Sequence, residues 1–179
     1  MSSTLERYDV AVDEFRRRLE ALDADDLDRP TPCEGWRVVD VADHAVRVLE
    51  DVAALVEPVA ARDGAATLAS RFDAASSDLR RKVADPATGG AQVASPFGEM
   101  ALKQLVSSVV VHDLLVHAWD VARATGRDER LDGELVAHTY AQMLPFDEFL
   151  RGHGFADKVQ APKGADDQTA LLCFLGRRP

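Results

Sequence analysis

Asp113 and His117 stand four residues apart in the run Val109-Val110-Val111-His112-Asp113-Leu114-Leu115-Val116-His117-Ala118-Trp119-Asp120. In a helix that spacing brings a carboxylate and an imidazole onto one face. Val106, Val109, Val110 and Ala124 fall on or beside the same face, which turns it toward a core. Polar groups in such surroundings are costly unless something compensates them. A divalent ion such as zinc is one compensation, because it accepts imidazole nitrogen and carboxylate oxygen together. His44 offers a third ligand from an earlier helix, where it shares a face with Val41, Val48, Val52 and Leu55. Three protein ligands leave a position for water or substrate, the pattern of a catalytic rather than a closed structural site.

Asp40, one turn before His44, and Asp120, one turn after His117, are candidates to orient the two imidazoles from behind. The same spacings also fit a plainer arrangement. An inward histidine can be a hydrogen-bonded core residue, Asp113 and His117 a simple intrahelical contact, Asp40 a helix-start acid, and Asp120 a partner for Arg123 or Arg127. His112 points about a quarter-turn away from Asp113, and His138 and His153 are expected at the surface. There is no Ser-His-Asp arrangement, Gly-rich phosphate loop or EF-hand loop. No catalytic acid, base or nucleophile and no residue binding an organic cofactor is therefore assigned.

The elements that must position these groups are helical. Leu5, Tyr8, Val12, Phe15, Leu19 and Leu22 recur at three or four residues and predict an amphipathic helix over 5–22. Residues 23–35, with Pro30 and Pro32, read as a connecting loop. A second helix is expected from Val38 to about Val56, with Asp40 in its first turn, where a carboxylate suits the helix dipole. A third is expected over 64–84 through Leu68, Phe72, Leu79 and Val83. Residues 85–98, with Gly89, Gly90 and Pro96, read as a loop with a short strand near Gln92-Val93. The fourth and most apolar helix is expected over 100–125, closed by Gly126. A fifth follows over 131–150, broken near Pro145. An irregular stretch from Gly152 and Gly154 to Gly164 precedes a short helix through Phe174 capped by Asp166 or Asp167. Four long helices with short additions predict an all-α, four-helix bundle with additional short C-terminal helices, in a single domain over 1–179.

Composition narrows the function. The chain has 179 residues, 46% of them apolar and 29% charged, with a net charge of −10. That profile fits a globular domain able to bury a substantial core. The negative charge and the lack of a basic stripe argue against a nucleic-acid partner and an anionic membrane surface. No apolar stretch is expected to span a bilayer, and no basic-then-apolar leader stands at Met1, so a cytoplasmic location is expected. Cys33 and Cys173 have neither CxxC spacing nor a disulfide pattern and read as partly buried thiols.

Thr31-Pro32-Cys33-Glu34-Gly35-Trp36, followed by Asp40-Val41-Ala42-Asp43-His44, resembles the first signature of the DinB-like metal-binding bundles. Asp113-Leu114-Leu115-Val116-His117-Ala118-Trp119-Asp120-Val121-Ala122-Arg123-Ala124-Thr125-Gly126 is similar to the second. The resemblance is strongest to the actinobacterial branch that includes the N-terminal domain of mycothiol-dependent maleylpyruvate isomerase, and Ala170–Pro179 resembles the ending of its short members. It implies a four-helix bundle with a three-ligand divalent site, often zinc, whose ligand positions match His44, Asp113 and His117. It also implies thiol chemistry, in which mycothiol or a related thiol meets the metal as thiolate. Coordination lowers a thiol's pKa and so supplies a nucleophile at neutral pH. Three departures stand out. Asp113 replaces the isomerase's Glu, Arg37 replaces a Ser or Thr helix cap, and the isomerase's additional C-terminal domain is not expected.

The function expected from the resemblance is a metal-dependent, mycothiol-type S-transferase or isomerase-like enzyme acting on a small electrophile. The alternative is a non-catalytic metal- or small-molecule-binding bundle, and a purely structural dimerisation module is a third reading. A homodimer is compatible with the resemblance, although no surface stripe specifies one.

Overall fold

The computed structural model describes residues 3–58, 66–95, 97–151 and 156–179. His153, Gly152, Gly154 and Pro96, and the start of the third helix before residue 66, lie outside the described residues. Contacts divide the chain into two compact units, Met1–Asp128 and Glu129–Pro179, where the sequence shows no second-domain boundary.

In the first unit, helix α1 runs Thr4–Glu20 and buries Tyr8, Ala11, Val12, Phe15 and Leu19 along one stripe. Ser3 caps it, accepting from the Glu6 amide while the Glu6 carboxylate accepts from the Ser3 amide. Helix α2 spans Val38–Ala54 and α3 Leu68–Ala84. A short helix α4, Pro86–Gly90, follows where a loop was expected, because Asp85 caps the Ala87 and Thr88 amides and Pro86 suits a first turn. Strands β1, Gln92–Ser95, and β2, Gly98–Ala101, form an antiparallel hairpin in the register Gln92 to Ala101 and Ser95 to Gly98. The expected strand near Gln92 is thus one half of a hairpin, and its partner takes the residues assigned to the start of the fourth helix.

That fourth helix is composite. It comprises α5, Leu102–Leu105, a π-helical turn, Val106–Val110, and α6, Val111–Thr125. Although Leu102–Thr125 is apolar and long enough by composition to cross a membrane, most of it is buried inside the fold. Gly126 ends α6 in the left-handed conformation, φ +66°, which glycine adopts without a Cβ penalty. Arg127 then turns back to pair with the buried Asp26 at 2.7 Å.

Helix α1 packs against α3 and α6, and α2 packs against the same two. Phe15 of α1 stacks on Phe72 of α3 at 5.1 Å between ring centres. Lys82 of α3 is fully buried. Its ammonium donates to the Ala53 and Glu57 carbonyls at 3.1 and 3.0 Å and pairs with Asp78 at 2.9 Å. The Ala53 carbonyl belongs to the last turn of α2, which has no basic residue of its own there, and Glu57 lies just beyond the helix end.

In the second unit, α7, Gly133–Met143, a 3-10 turn at Leu144–Phe146, and α8, Asp147–Arg151, replace the expected fifth helix. Pro145 sits in the 3-10 turn, where its missing N–H breaks the ladder. Helix α9, Asp167–Phe174, is capped by Asp166, which accepts from the Thr169 amide at 2.8 Å. It packs against α7.

Candidate metal centre

Helices α2 and α6 bring the three expected ligands together. His44 Nε2 lies 3.1 Å from Asp113 Oδ1, and His117 Nε2 lies 3.5 Å from the same oxygen. One ligand atom from each of the three residues falls within 4.8 Å of the others. Asp113 and His117 project together because they are one turn apart on α6, the relation read from the sequence.

His44 is less inward than its apolar neighbours suggested. The buried stripe of α2 is Val38, Val41, Ala42, Ala45, Val46, Leu49 and Ala53. His44 flanks that stripe, with Val48 and Val52 half-buried and Leu55 exposed beyond it. Its side chain is 26% exposed, Asp113 is 22% and His117 10%, so the cluster is walled by the core and open to solvent on one side. The π-helical turn also shifts the face read from a regular period: Val106 and Val110 are buried, whereas Val109 is only half-buried.

Behind His117 stands Asp120, wholly buried on the same helix. His117 Nδ1–H donates to Asp120 Oδ2 at 2.9 Å. This bond fixes the ring and leaves Nε2 facing Asp113 and His44. Arg123 lies over the Trp119 ring and Arg127 pairs with Asp26.

Asp40 does not join this group. Its carboxylate accepts from the Arg37 amide at 2.9 Å and from Arg37 Nε at 3.2 Å. It occupies the third position of α2, where orphan amides and the helix dipole draw a carboxylate away from the imidazole one turn later. Arg37 provides no side-chain cap to α2, and Asp40 supplies the capping contact from within the helix. His112 is buried on α6 outside the cluster, and His138, expected at the surface, is half-buried in the second unit.

The loop before α2 adds two residues that spacing alone did not reveal. Trp36 places its ring edge-on to His44, with ring centres 4.9 Å apart, and nearly parallel to His117 at 6.0 Å. Cys33 Sγ donates toward Asp120 Oδ2 at 3.5 Å and lies 3.9 Å from His117 Nδ1. A tight turn holds both in place. The Trp36 amide donates to the Cys33 carbonyl at 3.0 Å, and Gly35 takes φ +79° at the turn's third position. Thr31 fastens the turn from below: its amide and hydroxyl both donate to the Trp36 carbonyl at 2.9 Å, and its hydroxyl accepts from the Cys33 amide. The Thr31–Trp36 signature was the available signal, but which face this loop would cover depends on the return of the chain into α2.

Charge concentrates on the two ring nitrogens of His117. Burial by itself pushes its pKa down. The Asp113 carboxylate and the hydrogen bonds with Asp120 and Cys33 outweigh burial and raise the pKa to about 10. Burial pushes the Asp113 carboxyl up, but His117 and His44 bring it below the ordinary carboxylate value. Asp113 Oδ2 is buried with no hydrogen-bond donor among the described residues. Such an oxygen is costly unless a cation or donor meets it. The donor set of two imidazoles and one carboxylate suits a borderline divalent ion.

Comparison with known proteins covers the same part of the chain. Two uncharacterized proteins of Mycobacterium tuberculosis, one from strain H37Rv and one from strain CDC 1551 / Oshkosh, are each 35% identical to it over 175 residues, 93% of this chain and 93% of each relative. No solved structure matches the chain. Residues 8–122 match the mycothiol maleylpyruvate isomerase N-terminal domain. That span holds the loop with Cys33 and Trp36 as well as His44, Asp113, His117 and Asp120, and the chain belongs to the mycothiol maleylpyruvate isomerase N-terminal domain family.

Proposed function

We propose that this chain binds a divalent cation, with zinc the best fit, through His44, Asp113 and His117, and uses it in thiol chemistry on a small electrophile. The observation that carries this reading is the convergence of His44 Nε2, Asp113 and His117 Nε2 beside a buried carboxylate oxygen that lacks a donor among the described residues. The packing of α1, α2, α3 and α6 against one another supports a four-helix bundle as the frame. Family membership supports mycothiol or a related thiol as cosubstrate, in an S-transferase or isomerase-like reaction. Cytoplasmic location belongs to the same reading.

When bound, the cation would supply Lewis acidity that holds a thiol as thiolate near neutral pH. The chain's own residues do the rest. His117 is held by Asp120 so that Nε2 faces the ligand group. Trp36 covers the two imidazoles and excludes water from one side. The partial exposure of His44 and Asp113 leaves an approach for a small molecule.

Elemental analysis of protein purified without chelators, together with thiol-dependent turnover of electrophile panels, tests the proposal. A stoichiometric divalent ion and activity that requires added thiol are expected. Absence of metal, with a wild-type melting temperature for His44→Ala, would overturn it. Stoichiometric metal with no calorimetric thiol binding would instead identify a non-catalytic metal-binding bundle.

A further inference from the structure

Cys33 carries a thiol that the three-ligand centre does not use. Its sulfur, His117 Nδ1 and an Asp120 carboxylate oxygen are ligand atoms that all lie within 4.8 Å of one another. They form a group on the other nitrogen of the same imidazole, since His117 Nε2 faces His44 and Asp113 while Nδ1 faces Asp120 and Cys33. Asp120 is wholly buried, whereas Cys33 is half-buried on a turn whose Glu34 and Gly35 are exposed. An ion can therefore approach from the turn and meet a preformed carboxylate and imidazole. A sulfur, a nitrogen and a carboxylate oxygen form a softer set than two nitrogens and an oxygen.

We propose that Cys33, His117 and Asp120 form a second cation site, alternative to the first, that takes a thiophilic divalent ion such as cadmium. A neutral imidazole has one lone pair. With that pair on Nε2, toward His44 and Asp113, Nδ1 keeps its proton and donates to Asp120. With the pair on Nδ1, toward Cys33, the proton resides on Nε2 and faces Asp113 Oδ1 at 3.5 Å. Both tautomers thus find a carboxylate, one on each side of the ring. A single neutral His117 serves either donor set and not both at once. Binding at the sulfur set releases the Cys33 thiol proton and the His117 Nδ1 proton to solvent, leaves the Nε2 proton facing Asp113, and converts Asp120 from hydrogen-bond acceptor to ligand, with no change of oxidation state. The choice between ions of different softness is thereby written into the tautomer of one histidine. The inference rests on the proposed His44–Asp113–His117 centre only through the shared His117.

The test is cadmium titration of the full-length metal-free protein, read by the ultraviolet sulfur-to-cadmium charge-transfer band and by elemental analysis. One cadmium per chain with a strong band is expected for the wild type, for His44→Ala and for Asp113→Asn. The band is expected to vanish in Cys33→Ser, a nearly isosteric change whose fold is checked by circular dichroism. Cadmium bound without the band, or a band that survives in Cys33→Ser, would overturn the sulfur site. So would two ions held at once by the wild type and reduced to one by either Cys33→Ser or His44→Ala, because the two sets would then not be alternatives. Zinc bound by the wild type and lost in His44→Ala, with no cadmium band in any variant, would remove the second site and leave the first standing. The band without any zinc binding would do the reverse.

Discussion

His117 is the residue on which the chemistry of this site turns, and its two nitrogens give two separate predictions. The bond from Nδ1 to the buried Asp120 fixes which nitrogen faces Asp113 and His44. Asp120→Asn keeps the shape but weakens that control, and loss of such an orienting group lowers metal affinity by about 10–100-fold. Competition with a chromophoric chelator would measure it, and unchanged zinc affinity would sink the orienting role. The second prediction concerns protons. In the metal-free protein the His117 pKa is raised to about 10 by Asp113 and its hydrogen bonds, against the effect of burial. A group raised above its unfolded value of about 6.5 stabilises the fold fully below that value, and the contribution is lost as pH rises through about 10. A coordinated imidazole must give up that proton, so zinc binding should release about one proton from His117 and tighten with pH by about tenfold per unit below that pKa. Calorimetry in buffers of different ionisation enthalpy would show it, and binding without proton release would contradict it.

At the scale of elements, the loop before α2 and the end of α2 carry the positioning. Gly35 holds the turn that presents Cys33 and Trp36, at φ +79° with open space around its Cα. Only backbone strain opposes a side chain there, so Gly35→Ala should cost about 1–2 kcal/mol in urea unfolding. A neutral outcome would mean that the turn relaxes without loss. Lys82 ties α3 to the Ala53 carbonyl in the last turn of α2, the helix that carries His44, and to the Glu57 carbonyl just beyond it. Lys82→Met leaves those carbonyls unmet and should cost about 1–3 kcal/mol, while an unchanged midpoint would show that water replaces the ammonium. Burial pushes the Asp78 carboxyl up, but hydrogen bonds from Lys82 and Arg81 outweigh it and hold the pKa below the ordinary value. The stability from this lowered pKa is present above the unfolded value of about 3.9 and is lost as pH falls through the folded value.

For the whole molecule, the proposed cation should act as part of the fold. His44 comes from α2 while Asp113 and His117 come from α6, two helices in direct contact. An ion bound only by the folded chain adds about 4 kcal/mol when present at about a thousand times its dissociation constant. Chelation should lower the melting temperature and zinc should restore it, whereas a melting curve indifferent to both would mean that no ion bridges the helices. All ligands of both proposed sites lie within the first compact unit.

Much of this was legible in the sequence because helix periodicity is local. The stripe of α1, the one-turn relation of Asp113 to His117, the Gly126 stop and the Asp166 cap all follow from 3.6-residue geometry and capping chemistry. The family was legible because two signatures stand in order. Other features were not. The end of β2 takes the first residues, and the π-helical turn interrupts the course, of what reads as one continuous apolar helix, since apolar runs do not specify which ladder they join. Asp40 and Asp120 looked equivalent beside their histidines. Helix-start amides claim Asp40, while Asp120 accepts from His117 Nδ1. The sequence alone determined which residue types could bind a cation and which helices would carry them. Only tertiary structure decided that Cys33 and Trp36 stand over His117, because that juxtaposition joins a loop to a helix more than 80 residues away, a distance in the chain that no local period encodes.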